Sequence, residues 1–360
     1  MIFSAFFKRR DTEMSKRYLT TIGIILLFLI GIRTEASELN FSVASVIPEN
    51  QVDKSKTYFD LMVKPNEEQK IAIEINNTSN KEITVIPTIS NATTNLNGVV
   101  EYTLSKDKLN KGTPVEIEEI LTLPENQKEV KVPKNVQSQL ILNLKMPKEK
   151  FDGIVAGGIT LQEKKEEKTD EDENKGMTIK NYHAYTIAVL VREEKKDYTP
   201  ELELENVKVG QQNYRNVILT KLKNPVPDFL NELETNSTVT KKGESQVLYT
   251  SEKKNMQMAP NSSFQLPIPI EDKMKPGTYT LKMTAKSSDK KWEFVKDFSI
   301  GEKEARKFNE ADVTLPKDNN KLIIIGLSIA ILVLILIILL LTKNKKKQKK
   351  MTKKKKRKKK

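Results

Sequence analysis

The residues able to do chemistry are few. One histidine, His183, sits in the run Asn181-Tyr182-His183-Ala184-Tyr185. A Ser-His-Asp triad would have to use it, yet no Gly-x-Ser-x-Gly elbow is present. It reads as a structural or surface histidine. There is no cysteine, which excludes a thiol nucleophile, a disulfide framework and a Cys-ligated metal. No His-Glu-x-x-His motif occurs. Asp170-Glu171-Asp172-Glu173-Asn174 spaces oxygen ligands like the start of a calcium loop. Its sixth position is Lys175 rather than Gly, and its twelfth is Asn181 rather than Glu, so both defining features fail. Asp60 and Asp152 stand in suggestive contexts, but nothing marks them as the carboxylate pair of a glycosidase. Gly157-Gly158 has no Lys-Ser or Lys-Thr after it, so it is not a phosphate loop. No catalytic residue, metal site or cofactor is expected.

What remains is uncharged and polar. Asn91, Thr94, Asn95 and Asn97 offer amides and hydroxyls that suit glycan hydroxyls and acetamides, and suit loops equally. Gly98 after Asn97 suits a tight hairpin with positive φ. Asp152, Gly153, Gly157 and Gly158 form a second candidate patch. Glycines in an apolar strand mark a bulge, or close approach by a ligand or another backbone. These nine residues are the candidate ligand-binding set. Met256, Met258 and Pro260 suit packing under a loop or an adaptable contact surface. Trp292, the only tryptophan, suits a sandwich core or rim, or a ligand-stacking position.

The elements that must position these residues read as strands. Lys70–Asn76 alternates at period two, and Ile83–Ile86, Leu140–Leu144, Tyr185–Val191, Leu202–Leu204 and Val207–Val209 are further candidates. Turn signals lie between them: Lys64-Pro65-Asn66, Asn97-Gly98, Lys111-Gly112 and Pro276-Gly277. After the last, Tyr279, Leu281 and Met283 should face a core. Phe264–Ile270 alternates too, but Pro267 and Pro269 demote it to an edge strand, open to a partner strand by β-augmentation. Glu163–Lys175 has no apolar residue and reads as a solvated loop. Short strands with frequent turns predict an all-β ectodomain of two tandem immunoglobulin-like β-sandwich modules, 37–196 and 197–301. A polar stalk, 302–321, follows, partly helical around Glu302–Phe308.

The two ends carry targeting signals. Leu19–Ile32 is apolar, preceded by Lys8, Arg9, Arg10, Lys16 and Arg17 and followed by Thr34 and Ala36. This is a signal peptide, 1–36, with cleavage between Ala36 and Ser37; Met1 or Met14 is the start. Leu322–Leu341 holds 20 uncharged residues, enough for a C-terminal transmembrane helix of about 30 Å. The tail, 342–360, carries 14 Lys or Arg and no acid, which places it in the cytoplasm. The net charge of +14 resides there and in the signal. Residues 37–342 are left slightly acidic, which excludes a nucleic-acid partner for the body.

Several segments, in order, resemble one family. Phe41-Ser42-Val43, Pro48–Gln51, Tyr58–Leu61 and Val63-Lys64-Pro65 are similar to the opening of the WxL-interacting proteins of Gram-positive cell surfaces. So are Asn91–Asn95 with Asn97-Gly98, Met146-Pro147, Phe151–Ile154, Gly157–Ile159 and Asn181–Tyr185. In the second half, Asn224-Pro225, Met258–Ser262, Pro276–Tyr279, and Trp292 with Phe294 match too. Asn66 departs from the pattern, standing where Gly is expected after Pro65. The resemblance implies a peptidoglycan-binding-like module, then a host-binding-like module. It also implies partners among WxL-domain surface proteins, cell-wall peptidoglycan and a host extracellular matrix protein. The expectation is a non-enzymatic, single-pass, membrane-anchored adaptor. Its alternatives are a membrane-tethered cell-wall glycan hydrolase and, disfavoured by the short tail, a one-helix receptor.

Overall fold

The computed structural model describes residues 40–105, 109–111, 113–164, 184–316, 325–339 and 343. Ala36 and Ser37, His183 and the stretch 170–175 lie outside them. Most of the tail does too.

Among the described residues the first module has eleven strands. They are β1 (Phe41–Val46), β2 (Phe59–Met62), β3 (Glu68–Asn77), β4 (Ile83–Asn91), β5 (Thr93–Thr94), β6 (Val100–Glu101), β7 (Leu121–Thr122), β8 (Val130–Val132), β9 (Gln137–Lys145), β10 (Val155–Glu163) and β11 (Ala184–Arg192). One sheet runs β1-β3-β9-β7 and the other β2-β11-β10-β4-β8, with β5-β6 as a separate hairpin. Alternation sets the inner faces. Ile71, Ile73 and Ile75 of β3 and Leu140, Leu142 and Leu144 of β9 are buried against Val85, Ile159 and Val189 of the facing sheet. Each fully buried aliphatic contributes about 1.5–3 kcal/mol.

Two local features show how sequence exceptions are absorbed. Asn66 has φ of 60°, the left-handed region that asparagine tolerates, so it makes the turn expected of Gly. Pro87 lies inside β4. The Ala92 N–H donates to the Ala156 carbonyl, so even-numbered residues of this stretch face β10 and Pro87 faces the other way. On that side β8 pairs only with Ile83–Val85, so no ladder bond is lost.

The second module has β12 (Glu203–Gln212), β13 (Arg215–Lys223), β14 (Leu230–Lys241), β15 (Val247–Met258), β16 (Ser263–Pro269), β17 (Gly277–Ser287) and β18 (Lys290–Ile300). The sheets are β12-β13-β16 and β15-β14-β17-β18. Tyr279, Leu281 and Met283 are buried, with Ile218, Leu266 and Ile268 in the same core. Trp292 and Phe294 are half-buried against it. β16 is an edge strand, as its prolines require. Ile270 donates its N–H to Asn216 on β13, so Pro267 and Pro269 turn their missing N–H groups to the open side. That side has lost two donors, which corrects the expectation that it invites a partner strand.

Among the described residues, two short α-helices pack on the modules. Helix α1 (Ile117–Ile120) sits in the first module. Helix α2 (Glu302–Ala311) begins the segment expected to be a stalk, yet it packs on the second module. Ala305 is buried. Asn309 donates to the Met274 carbonyl at 2.9 Å and accepts from the Met274 N–H at 2.8 Å. Asp312 accepts the Asn216 N–H at 2.8 Å. Among the described residues no helix is long and apolar enough to cross a membrane. Residues 325–339 are helical, and the rest of the expected span lies outside the described residues.

Candidate functional site at the module junction

The candidate residues fall into two groups, and both are drawn into contacts of the fold. Asn91 ends β4. Its Nδ2 donates to Glu116 at 2.7 Å, and its Oδ1 accepts the Ile117 N–H at 2.9 Å, holding the start of α1. Gly157 and Gly158 lie in regular ladders with β4 and β11, so there is no bulge. They permit close approach. A Cβ on Gly157 would strike the Ile117 side chain and stand 2.5 Å from the Ser90 carbonyl. One on Gly158 would strike the Tyr102 backbone carbonyl. The absent side chains let α1 and the Tyr102 segment lie against β10.

Asn95 shapes the β5-β6 turn. Its Oδ1 accepts the Asn97 N–H at 2.9 Å and the Val99 N–H at 3.2 Å. Asn97 itself is exposed. The turn then meets the second module. Gly98, at φ of 71°, lets its chain lie on Met256; an added Cβ would be 2.5 Å from Met256 Cγ. Its carbonyl accepts the Gln257 N–H at 2.8 Å. Thr94 is 1% exposed. Its hydroxyl accepts the Ala259 N–H at 3.0 Å and lies 3.0 Å from the Ser262 hydroxyl.

Gly153 makes a matching contact. It has φ of 83°, and a Cβ would collide with the Pro227 carbonyl oxygen. The next residue, Ile154, donates its N–H to that same oxygen at 2.8 Å. Asp152 is exposed and pairs with Lys196 at 3.4 Å, an ion pair of little energetic weight.

Sequence reasoning missed Asn110, which reaches across three times. Its N–H donates to Asn261 at 2.8 Å, its Nδ2 to the Asn224 carbonyl at 2.9 Å, and its Oδ1 accepts Ser263 at 2.8 Å. Asn224 is 1% exposed and fully engaged, donating to Asp228 and Ala259 and accepting from Val226. Ala92, Ala156, Leu190 and Ala259 seal the contact with Ile154 and Phe229. Met256, Met258 and Pro260 are buried. No signal in the sequence could have located Asn110, because its partners lie more than a hundred positions away.

Two openings lie beside this junction. A polar depression of about 390 Å³ is bordered by Asn91, Thr93, Glu116 and Glu118. A larger cleft of about 870 Å³ opens between β1, the 54–58 loop, Tyr102 and β11. Burial pushes the Tyr102 phenol up to about 12, with Tyr58 adding to the shift. Arg192 and Asp60, both mostly buried, pair at 2.6 Å at the far end of β11. Among the described residues there is no group of three or more His, Cys, Asp or Glu that could hold a metal.

Residues 41–163 match the family described as WxL Interacting Protein, peptidoglycan binding domain. Residues 174–310 match WxL Interacting Protein, host binding domain. The chain belongs to the WxL-interacting protein family.

The second match begins inside the first sandwich: β11 is within 174–310 but pairs with β10 and β2. In this WxL-interacting protein the motifs carrying the resemblance meet at the junction: Asn97-Gly98 and Gly153 from one side, Asn224-Pro225 and Met258–Ser262 from the other. No curated protein matches the chain. Among solved structures it is similar to the E. coli chaperone DraB (13% identity, covering 72% of this chain and 98% of that one, TM-score 0.27). It is also similar to a CsuC–CsuE chaperone–tip subunit complex of Acinetobacter baumannii (12%, 71% and 98%, TM-score 0.31). A third is the Pseudomonas aeruginosa CupB2 chaperone (13%, 67% and 97%, TM-score 0.25). At these TM-scores the likenesses carry no functional weight.

Proposed function

We propose that this protein is a non-enzymatic adaptor at the Gram-positive cell surface. The first module engages peptidoglycan, and the second engages WxL-domain surface proteins or a host matrix protein. The observation that carries the reading is the ordered pair of family matches, one to each binding domain. The seven hydrogen bonds across the junction among the described residues support a body that presents two binding faces in a fixed relation. We place it on the membrane by the uncharged run Leu322–Leu341 and the Lys-rich tail after it, with the modules outside. Tethering raises the effective concentration of modest sites, so weak contacts suffice.

The test is sedimentation of the detergent-solubilised full chain with purified, protein-free peptidoglycan. The expected result is co-pelleting without release of soluble sugar fragments. A chain that stays in the supernatant overturns wall binding, and released fragments overturn the non-enzymatic reading.

A further inference from the structure

The 870 Å³ cleft is bounded by two strands whose outer edges no described strand pairs with. β1 ends its sheet. The Thr78 N–H donates to Asn40, so even-numbered residues here bond β3, and the backbone groups of Val43 and Ser45 point outward. β11 is open over half its length. β2 lies beside it only from Val189 to Arg192. Arg192 accepts the Val63 N–H, so even-numbered residues of β11 face the β2 side. Thr186 therefore aims its N–H and C=O, and Ala188 its N–H, along the line of β2 at a place where β2 has not begun; the Ala188 carbonyl is taken by the first residue of β2, Phe59. The chain before β2 turns away toward β1, where Ser45 donates to the Thr57 carbonyl at 2.8 Å. Phe41 and Tyr185 close the other end, edge to face at 5.2 Å.

The cleft thus offers parallel rows of backbone donors and acceptors over the five residues 184–188, about 16 Å of extended chain. Between the rows lie small and apolar side chains, Val43, Ala44 and Ile187 among them. Lys54 and Lys56 stand exposed on the rim. Glu101 on the lining accepts from Asn95 and keeps its charge, and Lys56 lies 3.9 Å from Asp53, so the two lysines leave the lining itself with one net positive charge. The rim therefore complements an acidic ligand.

We propose that this cleft takes an extended, acidic segment of a partner protein as an added strand beside β11, continuing the line of β2. The chemistry selects a polypeptide of L-residues. Peptide bonds match the rows, sugar rings do not repeat at the spacing of a strand, and a strand of inverted residues twists with the opposite hand to β11. The second module's prolines show the contrast. The outward positions of β16 are Pro267 and Pro269, which remove donors, whereas those of β11 are Thr186 and Ala188, which keep them. One exposed edge is blunted and the other is left able to pair.

The test uses the full chain in detergent and a capped all-L heptapeptide, Glu-Val-Thr-Val-Thr-Val-Glu, read by residue-resolved hydrogen exchange. Without peptide, Thr186 and Ala188 amides should exchange fast, while that of Ile187, bonded to β10, stays protected. With peptide, both should slow on the order of tenfold or more. The D-enantiomer, with the same charge and composition, should leave them unchanged. Thr186→Pro should abolish binding without unfolding the chain, because the lost N–H faces outward. It should also leave pelleting with peptidoglycan intact, which separates failure here from failure of wall binding. Lys54→Glu with Lys56→Glu should weaken the peptide and provides a variant that leaves the strand untouched. Three outcomes overturn the proposal: equal binding of the two enantiomers, peptide binding retained by Thr186→Pro, or Thr186 and Ala188 amides already protected in the chain alone.

Discussion

The two modules reach similar sandwiches by opposite routes. The second is assembled from neighbours: β12 with β13, β14 with β15, and β17 with β18 are hairpins. Asn213 and Tyr214, both at positive φ, form the two-residue loop of the first. The first module has two consecutive pairs, β5 with β6 and β10 with β11, but is otherwise assembled from distant pieces. β3 pairs with β9, β4 with β10, and β2 lies parallel to β11, clamped by Asp60 and Arg192 132 positions apart. Local pairing needs little loop closure, and distant pairing needs much. The distantly paired module is also the one that leaves half of a strand uncovered and carries the glycines of the junction. Its open places are consequences of its topology, since strands that meet late and briefly cannot cover one another's full length.

If the junction makes one body of the two, breaking it should separate them. Gly153→Val should have the largest effect. The variant demands positive φ of a β-branched residue and drives its Cβ into the Pro227 carbonyl. A loss of about 3 kcal/mol or more is expected. Calorimetry should show a single transition in the parent and two in the variant. A single unshifted transition in Gly153→Val would mean that the modules do not support one another.

Asp60→Ala sharpens the comparison inside the first module. The Arg192 and Asp60 side chains are 16% and 11% exposed. Removing the carboxylate strands a guanidinium with little access to water. A fully buried case costs about 3–5 kcal/mol, and the residual exposure here brings the expectation to about 2. Made in the Gly153→Val background, where the modules should unfold separately, Asp60→Ala should place the loss in the first module's urea transition; a loss in the second would contradict the assignment of the clamp.

How far this was legible in the sequence follows from the same contrast. β3, β9 and β17 announce themselves because every second residue is buried along their length. The edge character of β16 was written in its prolines. β4 was legible only as far as Ile86, because Pro87 is admissible only where β8 has stopped, a fact of three dimensions. β15 escaped notice because it is an edge strand whose inner positions are only partly buried at Tyr249 and Ser251 and exposed from Glu252 to Asn255, so no apolar alternation marks it. Helix α1 is one turn held by Asn91 and by burial of Ile117 and Ile120, too short to show a period. The candidate residues were visible as unusual types in suggestive places. That Thr94, Gly98 and Gly153 meet the second module was not, since contact between segments so far apart in the chain leaves no trace in spacing.

A smaller effect tests how the turn at Gly98 engages the second module. Gly98→Ala meets both the positive φ and the Met256 side chain, and should cost about 2 kcal/mol. Met256→Ala creates a cavity and should cost about 2–5 kcal/mol alone. Combined, the second substitution removes the obstacle to the first, so the pair should cost less than the sum by about 1 kcal/mol. Strict additivity in urea titrations would show that the turn and Met256 do not press on each other in solution.

The smallest effect is confined to alkaline pH. Tyr102 lies beside the cleft with its pKa raised from 10.0 to about 12, chiefly by burial and secondarily by Tyr58. The folded state therefore favours the neutral phenol. This contribution is intact below pH 10, where the phenol is neutral in both states. It is lost as pH rises from about 10 to about 12, because the unfolded chain ionises first. Tyr102→Phe removes the titrating group, so the variant should lose less stability than the parent between pH 9 and pH 11.5, with the difference gone at pH 8 apart from the lost hydroxyl. Urea midpoints for both chains at the three pH values make the comparison. Parallel curves would place Tyr102 in open solvent, and the wall of the cleft formed by the Tyr102 segment would then be looser than the packing of Gly158 against its carbonyl requires.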